Sequence, residues 1–494
     1  MIFIDMAKEE VGITVKKDKD FSEWYTQVVQ KAELADIRFG IQGFIVHRPF
    51  ALRIIRKIYD YLEEELEKDG HEPFLFPTAV KEENLMKEKE HAGFTPDVFW
   101  ITEAGTEKIE ERFALRPTGE AQIYPLYSLW IRSYNDLPFK GYQSRISVFR
   151  NEKTTRPFLR GREFLFLESH DVFKAHEEAI EQVKKDLEIS EKVIYGRFKI
   201  PFIFFKRPQW DKFLGADDSY TPDTIMPDGR KSQLASTHDL GQNFSKAYKI
   251  KFRDKDEKDK LVWQTCYGPG IWRILAAAIG IHGDNTGLVL PFEIAPIQIV
   301  IVPILYSKNK KENKSIIAKC KEVEKKLNNY RVKFDNSEES PGFKYNKWEM
   351  FGVPLRIEIG ERELKENRIT LVKRTDKKKM SIGIRNLLGE IERNSKLLDN
   401  FIKRKADSYL KDRIKDANNF GELKKLIDEQ VGFVRIPFCS VSLDGKKCAE
   451  FIKEKLHADV CGTVFPESEK IGNKNKCMIC NKKANHIVYV AKSY

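Results

Sequence analysis

Two arginine-bearing stretches invite an anion. Arg150-Asn151-Glu152 leads into KTTRPFLRGRE and then Phe166-Leu167-Glu168-Ser169-His170, so a basic loop separates two strand-like segments. Alternate strand residues share a face, which sets Arg150 beside Glu152, and Phe166 beside Glu168 and His170. A guanidinium suits forked binding of phosphate oxygens, and a carboxylate suits an ammonium or an adenine amine. Surface ion pairs on a solvated sheet would show the same spacing. Arg273 opens an apolar helix after WQTCYGPGIW. Heading an otherwise buried helix, it is costly without an anion or a partner, and a helix N-terminus favours phosphate. LRPTGE at 115–120 and STHDLGQNF at 236–244 add carboxylate, hydroxyl and imidazole groups. Taken alone, the first is equally a turn, and His238 is equally a satisfied core residue. Among the cysteines, Cys266 and Cys320 stand apart, whereas Cys439, Cys448, Cys461, Cys477 and Cys480 crowd the C-terminal end. With no export signal, an odd count ending in CxxC points to metal rather than disulfides. Cys439…Cys448 and Cys477-x-x-Cys480 form two close pairs suited to a closed tetrahedral zinc site. Buried unpaired thiols are the plain alternative.

The elements that must position these groups follow from periodicity. Residues 1–36 are polar with a helical pattern, an expected N-terminal arm. From Pro49 to Asp69, Leu52, Ile55, Ile58, Tyr59, Leu62 and Leu66 recur at helical spacing, with a first-turn proline and Gly70 closing the helix. PFLFP predicts a strand ending at Pro77. Segments 138–150 and 162–170 predict two antiparallel strands, and 171–197 an amphipathic helix. Further strands are expected over 201–252, with a turn at Pro227-Asp228-Gly229, and a buried helix over 272–281. QIVIVPI at 298–304 opens a second unit, in which a basic helix at 307–329 and three strands predict a compact α/β domain ending near 385. Residues 386–432 are expected as strongly charged helix before the cysteine-bearing tail.

Composition bounds the function. A length of 494 residues suggests roughly three domains. Lys+Arg of 87 against Asp+Glu of 75 leaves +12, an excess that favours an anionic partner such as nucleic acid or acidic membrane. The most apolar run, LVLPFEIAPIQIVIVPIL, is broken by three prolines and a glutamate, too interrupted for a membrane span. The N-terminal residues lack the pattern of a secretory signal. A cytoplasmic chain is expected, with no membrane partner.

In order and wording, these pieces resemble the class II aminoacyl-tRNA synthetases, most closely the prolyl-tRNA synthetase family of archaeal and eukaryotic cytosolic type. The resemblance runs from about residue 20 to Tyr494, on EKEHAGFTPDVFWIT, LRPTGEAQIYP, DLPFKGYQ, RPFLRGREFLF, KFLGAD, HDLGQNFSKAY and HGDNTGLVLPFEIAPIQIVIVP. It implies an α+β fold: a class II catalytic domain on an antiparallel sheet over 1–294, an α/β anticodon-binding domain over 295–400 and a small α+β zinc-binding domain over 401–494. It implies ATP as substrate with Mg²⁺, structural Zn²⁺, L-proline and proline tRNA as partners, and a homodimer formed through the helix at 49–69 and its following strand. By resemblance, Arg150 would contact the α-phosphate and Arg273 the γ-phosphate, as the catalytic pair. Glu152 would approach the adenine, with Arg160, Gln233 and Ser236 completing the nucleotide site. Thr118 and Glu120 would receive the proline ammonium, with Phe166, Glu168, His170 and His238 around the amino-acid pocket. Cys439, Cys448, Cys477 and Cys480 would hold zinc, Cys461 would not, and the final tyrosine would tuck towards the catalytic domain. About 100 residues between His170 and Arg273 leave no room for the editing insertion of bacterial relatives.

The chain departs from the family at Gly119, Asn151, Phe166, His238-Asp239 and the GPGIWR stretch, which is one residue longer and places Trp272 before Arg273. These departures admit two rivals: an enzyme activating another amino acid, and a catalytically silent tRNA-binding paralogue. The basic residues Lys308, Lys310, Lys311 and Lys314 could meet tRNA phosphates or simply form a solvated helix face.

Overall fold

A computed structural model describes residues 12–92, 97–305, 310–472 and 475–494. Lys308, part of EKEHAGFTPDVFWIT and the first residues of the expected arm lie outside them. Helix Pro49–Lys68 begins on its proline and buries Ile54, Ile55, Ile58, Tyr59, Leu62 and Leu66, the stripe that 3.6-residue periodicity demands. Gly70 follows at φ +87°, the left-handed conformation that glycine adopts most readily after a helix. The helix packs on a hairpin of Phe139–Phe149 and Glu163–Phe173. A bulge between Gln143 and Ile146 interrupts that pairing and turns Arg145 outward, onto Asp60 and Glu63 of the helix.

Among the described residues, twelve strands join in one sheet. Its first portion runs Glu72–Pro73, Phe139–Phe149, Glu163–Phe173, Trp263–Pro269, Ala235–Gly241, Asp218–Ile225 and Ile203–Lys206, with Lys231–Gln233 paired beside Asp218–Ile225. It continues without a break through Asp459–Val464, His486–Ala491, Phe433–Phe438 and Ile414–Asp416. The cysteine-bearing tail is therefore an extension of the same sheet. The join is Thr463 opposite Lys206 and Val464 opposite Phe205. A separate five-stranded sheet has the order Val332–Phe334, Ile299–Pro303, Leu355–Ile359, Arg368–Lys373 and Lys379–Gly383. Helix Lys310–Lys326 covers it through Ile316, Cys320 and Val323.

Several expectations change. Part of the expected N-terminal arm is core: helix Phe21–Lys31 buries Trp24, Tyr25 and Val28. The PFLFP strand is only Glu72–Pro73. The helix expected from residue 171 starts at His176, because Asp171, Val172 and Phe173 remain paired in the sheet. The charged helix over 386–432 is two helices, Leu387–Asp412 and Phe420–Asp428, separated by strand Ile414–Asp416.

Candidate active site

The carboxylate of Glu168 is the hub of the buried pocket. Strand pairing sets Glu168 opposite Gln143, whose amide donates to it at 2.7 Å and whose carbonyl accepts from the buried Arg116 at 3.1 Å. Glu168 also accepts from the Gly119 backbone N–H at 3.1 Å and lies 3.2 Å from His170 Nε2. A Cβ on Gly119 would fall 2.3 Å from Glu168 Oε1. A side chain there would displace the ends of Glu168 and of Ile123, whose Cδ1 would lie 2.8 Å away, so glycine leaves room for this placement of the carboxylate. The neighbouring Thr118 donates to Glu120 Oε2 at 2.5 Å. Glu120, in the first turn of helix Glu120–Trp130, is buried. Burial pushes its carboxyl pKa up, and Glu168 adds to this while His170 opposes it. An ammonium fits such a site, because it supplies the missing positive charge.

The next row of the sheet floors this pocket. His170, Cys266 and His238 lie side by side in register. His170 Nδ1 lies 2.8 Å from the Tyr124 hydroxyl. Burial alone would lower the His170 pKa, but contacts with Cys266 and Glu168 reverse this and raise it. His238 Nδ1 lies 2.8 Å from Ser219 Oγ. Burial, then His170 and Arg207, lowers its pKa to about 3, so its ring is neutral at physiological pH. Cys266 and Tyr124 were missed from sequence alone. Cys266 stood apart there because only strand register places it between two histidines, and burial holds its thiol up at about 12. Phe166 lines the wall, its ring 3.1 Å from where a Cβ on Gly268 would lie.

The nucleotide-side residues sit differently from the alternation argument. The strand ends at Phe149, so Arg150 and Glu152 belong to the loop, and strand faces do not align them. Arg150 pairs its backbone with Arg162 and sets its guanidinium 5.9 Å from the centre of the Phe164 ring. Glu152 instead binds Arg160 at 2.7 Å. Arg273 opens helix Ile271–Ala277 and donates to the Gln233 carbonyl at 3.3 Å. Its pKa is lowered, first by the dense cleft around it and then by the like charge of Arg150. Neither Arg150 nor Arg273 has a salt bridge among the described residues. The Gln233 side chain accepts from Arg207, which is itself held by Asp223. Ser236 stands opposite Gly268 at the strand start. The arrangement is a positive cleft beside an acidic, buried pocket.

The tail cysteines converge. Ligand atoms of Cys439, Cys448, Cys477 and Cys480 lie within 4.8 Å of one another, with Cys439 and Cys448 sulfurs 3.8 Å apart. Tetrahedral Zn–S bonds of about 2.3 Å require sulfurs about 3.8 Å apart, which the Cys439–Cys448 pair meets, so the four thiols are a set that fits zinc. Cys461 lies apart, buried near Arg207 and Lys231. At the terminus, the Tyr494 hydroxyl donates to Asp228 at 2.8 Å, and the Lys492 carbonyl accepts from Lys231 N at 2.8 Å.

The antiparallel sheet around these residues is the core of a class II aminoacyl-tRNA synthetase. The family model described as "tRNA synthetase class II core domain (G, H, P, S and T)" matches residues 99–282. "Anticodon binding domain" matches 298–394 and "Prolyl-tRNA synthetase, C-terminal" matches 420–494. The proline–tRNA ligase of Thermofilum pendens is 51% identical, over 98% of this chain and 100% of its own length. That of Methanococcoides burtonii is 39% identical, over 99% and 100%. The solved prolyl-tRNA synthetase of Giardia lamblia, in complex with prolyl-adenylate, superposes with TM-score 0.93 at 33% identity, covering 98% of this chain and 100% of that one. The chain belongs to the prolyl-tRNA synthetase family.

Proposed function

We propose that the chain joins L-proline to ATP as prolyl-adenylate and transfers the prolyl group to the 3′ end of proline tRNA. The observation that carries this reading is the Thr118–Glu120–Glu168–His170 pocket, opening beside two arginines without carboxylate partners. Glu120 and Thr118 receive the proline ammonium, while His238, neutral and held by Ser219, closes the pocket with Phe166. Arg150 and Arg273 hold the triphosphate of MgATP, with Glu152, Arg160, Gln233 and Ser236 around the nucleoside. The proline carboxylate attacks the α-phosphorus in line and pyrophosphate leaves. Positioning and charge stabilisation carry such a step without a general base. The solved relative from Cryptosporidium parvum, complexed with halofuginone and AMPPNP, supports the nucleotide assignment; it has a TM-score of 0.92 at 32% identity.

We further propose three units, 1–294 for adenylation, 295–400 for the anticodon and 401–494 for zinc, acting as a cytoplasmic homodimer. The open sheet edge at Glu72–Pro73, beside exposed Leu75, Leu129 and Trp130, supports the dimer. No helix among the described residues is long and apolar enough to cross a membrane. Zinc held by four thiolates has a filled shell and a structural role. The test is ATP–pyrophosphate exchange with each of the twenty amino acids. Exchange should require proline; exchange driven by another amino acid, or by none, would sink the reading.

A further inference from the structure

Trp272, the unusual residue before Arg273, faces away from the amino-acid pocket. Its indole N–H donates to His47 Nε2 at 2.8 Å, and the ring is 5% exposed. It packs edge-on against Phe158 at 5.8 Å and lies 6.5 Å from Phe164. A Cβ on Gly161 would stand only 2.6 Å from its six-membered ring. Gly161 is absent from the residues with positive φ, so space rather than backbone angle favours glycine here, the indole crowding it first and the Gly43 carbonyl, at 3.1 Å, second. The loop 150–162 is therefore closed onto this ring from one side.

The segment 20–47 grips the same loop from the other side at separate points. Arg156 donates to the Ser22 carbonyl at 2.9 Å, Tyr25 to the Pro157 carbonyl at 3.0 Å and Gln42 to the Lys153 carbonyl at 3.0 Å. Arg162 N donates to the Gly43 carbonyl at 3.0 Å. His47 and Trp272, 225 residues apart, complete the ring of contacts. A loop left free would have to be ordered when nucleotide binds, at the expense of affinity, whereas a loop already ordered spares that loss.

We propose that Trp272, through its contacts with His47 and Gly161, is a positioning residue that locks the N-terminal segment onto loop 150–162 and so presets the loop for ATP. The proposal rests on the reading above that this loop holds the nucleotide. Trp272 touches neither Thr118, Glu120 nor His170, so its loss weakens ATP binding and spares proline.

The test uses the full chain and its Trp272→Leu, Gly161→Ala, Trp272→Leu/Gly161→Ala and Trp272→Phe variants. Pyrophosphate exchange gives KM for ATP and for proline, and calorimetry gives Kd for a non-hydrolysable ATP analogue with Mg²⁺. Trp272→Leu and Gly161→Ala should each raise KM and Kd for nucleotide about tenfold, with KM for proline and kcat near the parent values. The double variant should lose no more than Trp272→Leu alone, because leucine vacates most of the space that alanine enters. If Trp272→Leu does not fold, Trp272→Phe, which loses the N–H donor and part of the ring contact with Gly161, should still raise Kd a few-fold. Unchanged nucleotide affinity in the folded variants would overturn the proposal. So would equal losses for both substrates, or a double variant in which the two single losses simply multiply. A parent chain that binds nucleotide but exchanges nothing with proline would instead overturn the function, leaving the calorimetric comparison to judge the lock.

Discussion

At the scale of single residues, the pocket is built from carboxylates whose charge is managed by neighbours. Glu120 is buried beside a second carboxylate, so its pKa lies above the ordinary 4.5. The ammonium needs the ionised form, and that form is lost as pH falls through the raised pKa. The kcat/KM for proline should therefore drop on acidification with a midpoint above 4.5, read from exchange rates across pH. Glu120→Gln should abolish that limb and lower kcat/KM about 10–100-fold, the loss expected for a charge-assisted hydrogen bond of about 1.5–3 kcal/mol. Among the described residues Arg150 has no salt bridge, as its proposed role in clamping phosphate requires. Arg150→Ala should reduce kcat in exchange by about 10²–10³-fold, as loss of a preorganised charge donor does. Binding of tRNA, measured by filter retention, should be little changed. An unaltered exchange rate would show that the phosphate lies elsewhere.

At the scale of elements, the short strand Lys231–Gln233 joins the active site to the chain terminus. It bears Gln233, whose carbonyl receives Arg273 and whose side chain receives Arg207. Its Lys231 N–H is held by Lys492. The terminal strands depend in turn on the cysteine cluster, which packs with Phe438, Ile452 and Val488. Metal binding in a small domain of this kind supplies much of its folding energy. Removing zinc with a chelator, or Cys477→Ser, should make residues 413–494 protease-sensitive and reduce adenylation as a secondary effect. Elemental analysis should find one zinc per chain, lost in a Cys477→Ser/Cys480→Ser variant. A metal-free chain with a protease-resistant tail would refute the site.

For the whole molecule, the five-stranded domain is docked by a bidentate ion pair. Arg374 Nη1 and Nη2 donate to the two Asp284 oxygens at 2.7 and 2.6 Å. Leu288 N reinforces the contact through the Met350 carbonyl at 3.0 Å. Burial raises the Asp284 pKa, but Arg374 outweighs it and brings the value down to about 2 from 3.8. A depressed carboxylate stabilises the fold above its unfolded pKa, so the contribution is full above about pH 4 and fades as pH falls towards 2. With the aspartate side chain 35% exposed, solvent screening reduces it to about 1 kcal/mol. Asp284→Asn should lower thermal stability at neutral pH by about that much or more, since it strands a buried guanidinium. The gap from the parent should narrow in melts recorded between pH 4 and pH 2.

Sequence by itself determined the local elements and the residue types of the site. The stripe from Pro49 to Lys68, the hairpin around loop 150–162, the buried strand at Ile299–Pro303 and the paired cysteines are legible because each signal spans a few residues of one chain segment. The ordered motifs also carried the family resemblance. Tertiary structure alone decided which groups meet. Cys266 joined His170 and His238 through register across three strands, Gly119 came to face Glu168 where a side chain would displace its carboxylate, and Arg150 left the strand face on which alternation had set it. Part of the supposed arm became core, and the tail became four strands of the catalytic sheet. The physical reason is common to all of these. Periodicity reports which face of an element is apolar, but register, loop closure and the partner across a sheet are set by contacts hundreds of residues apart, such as that between His47 and Trp272.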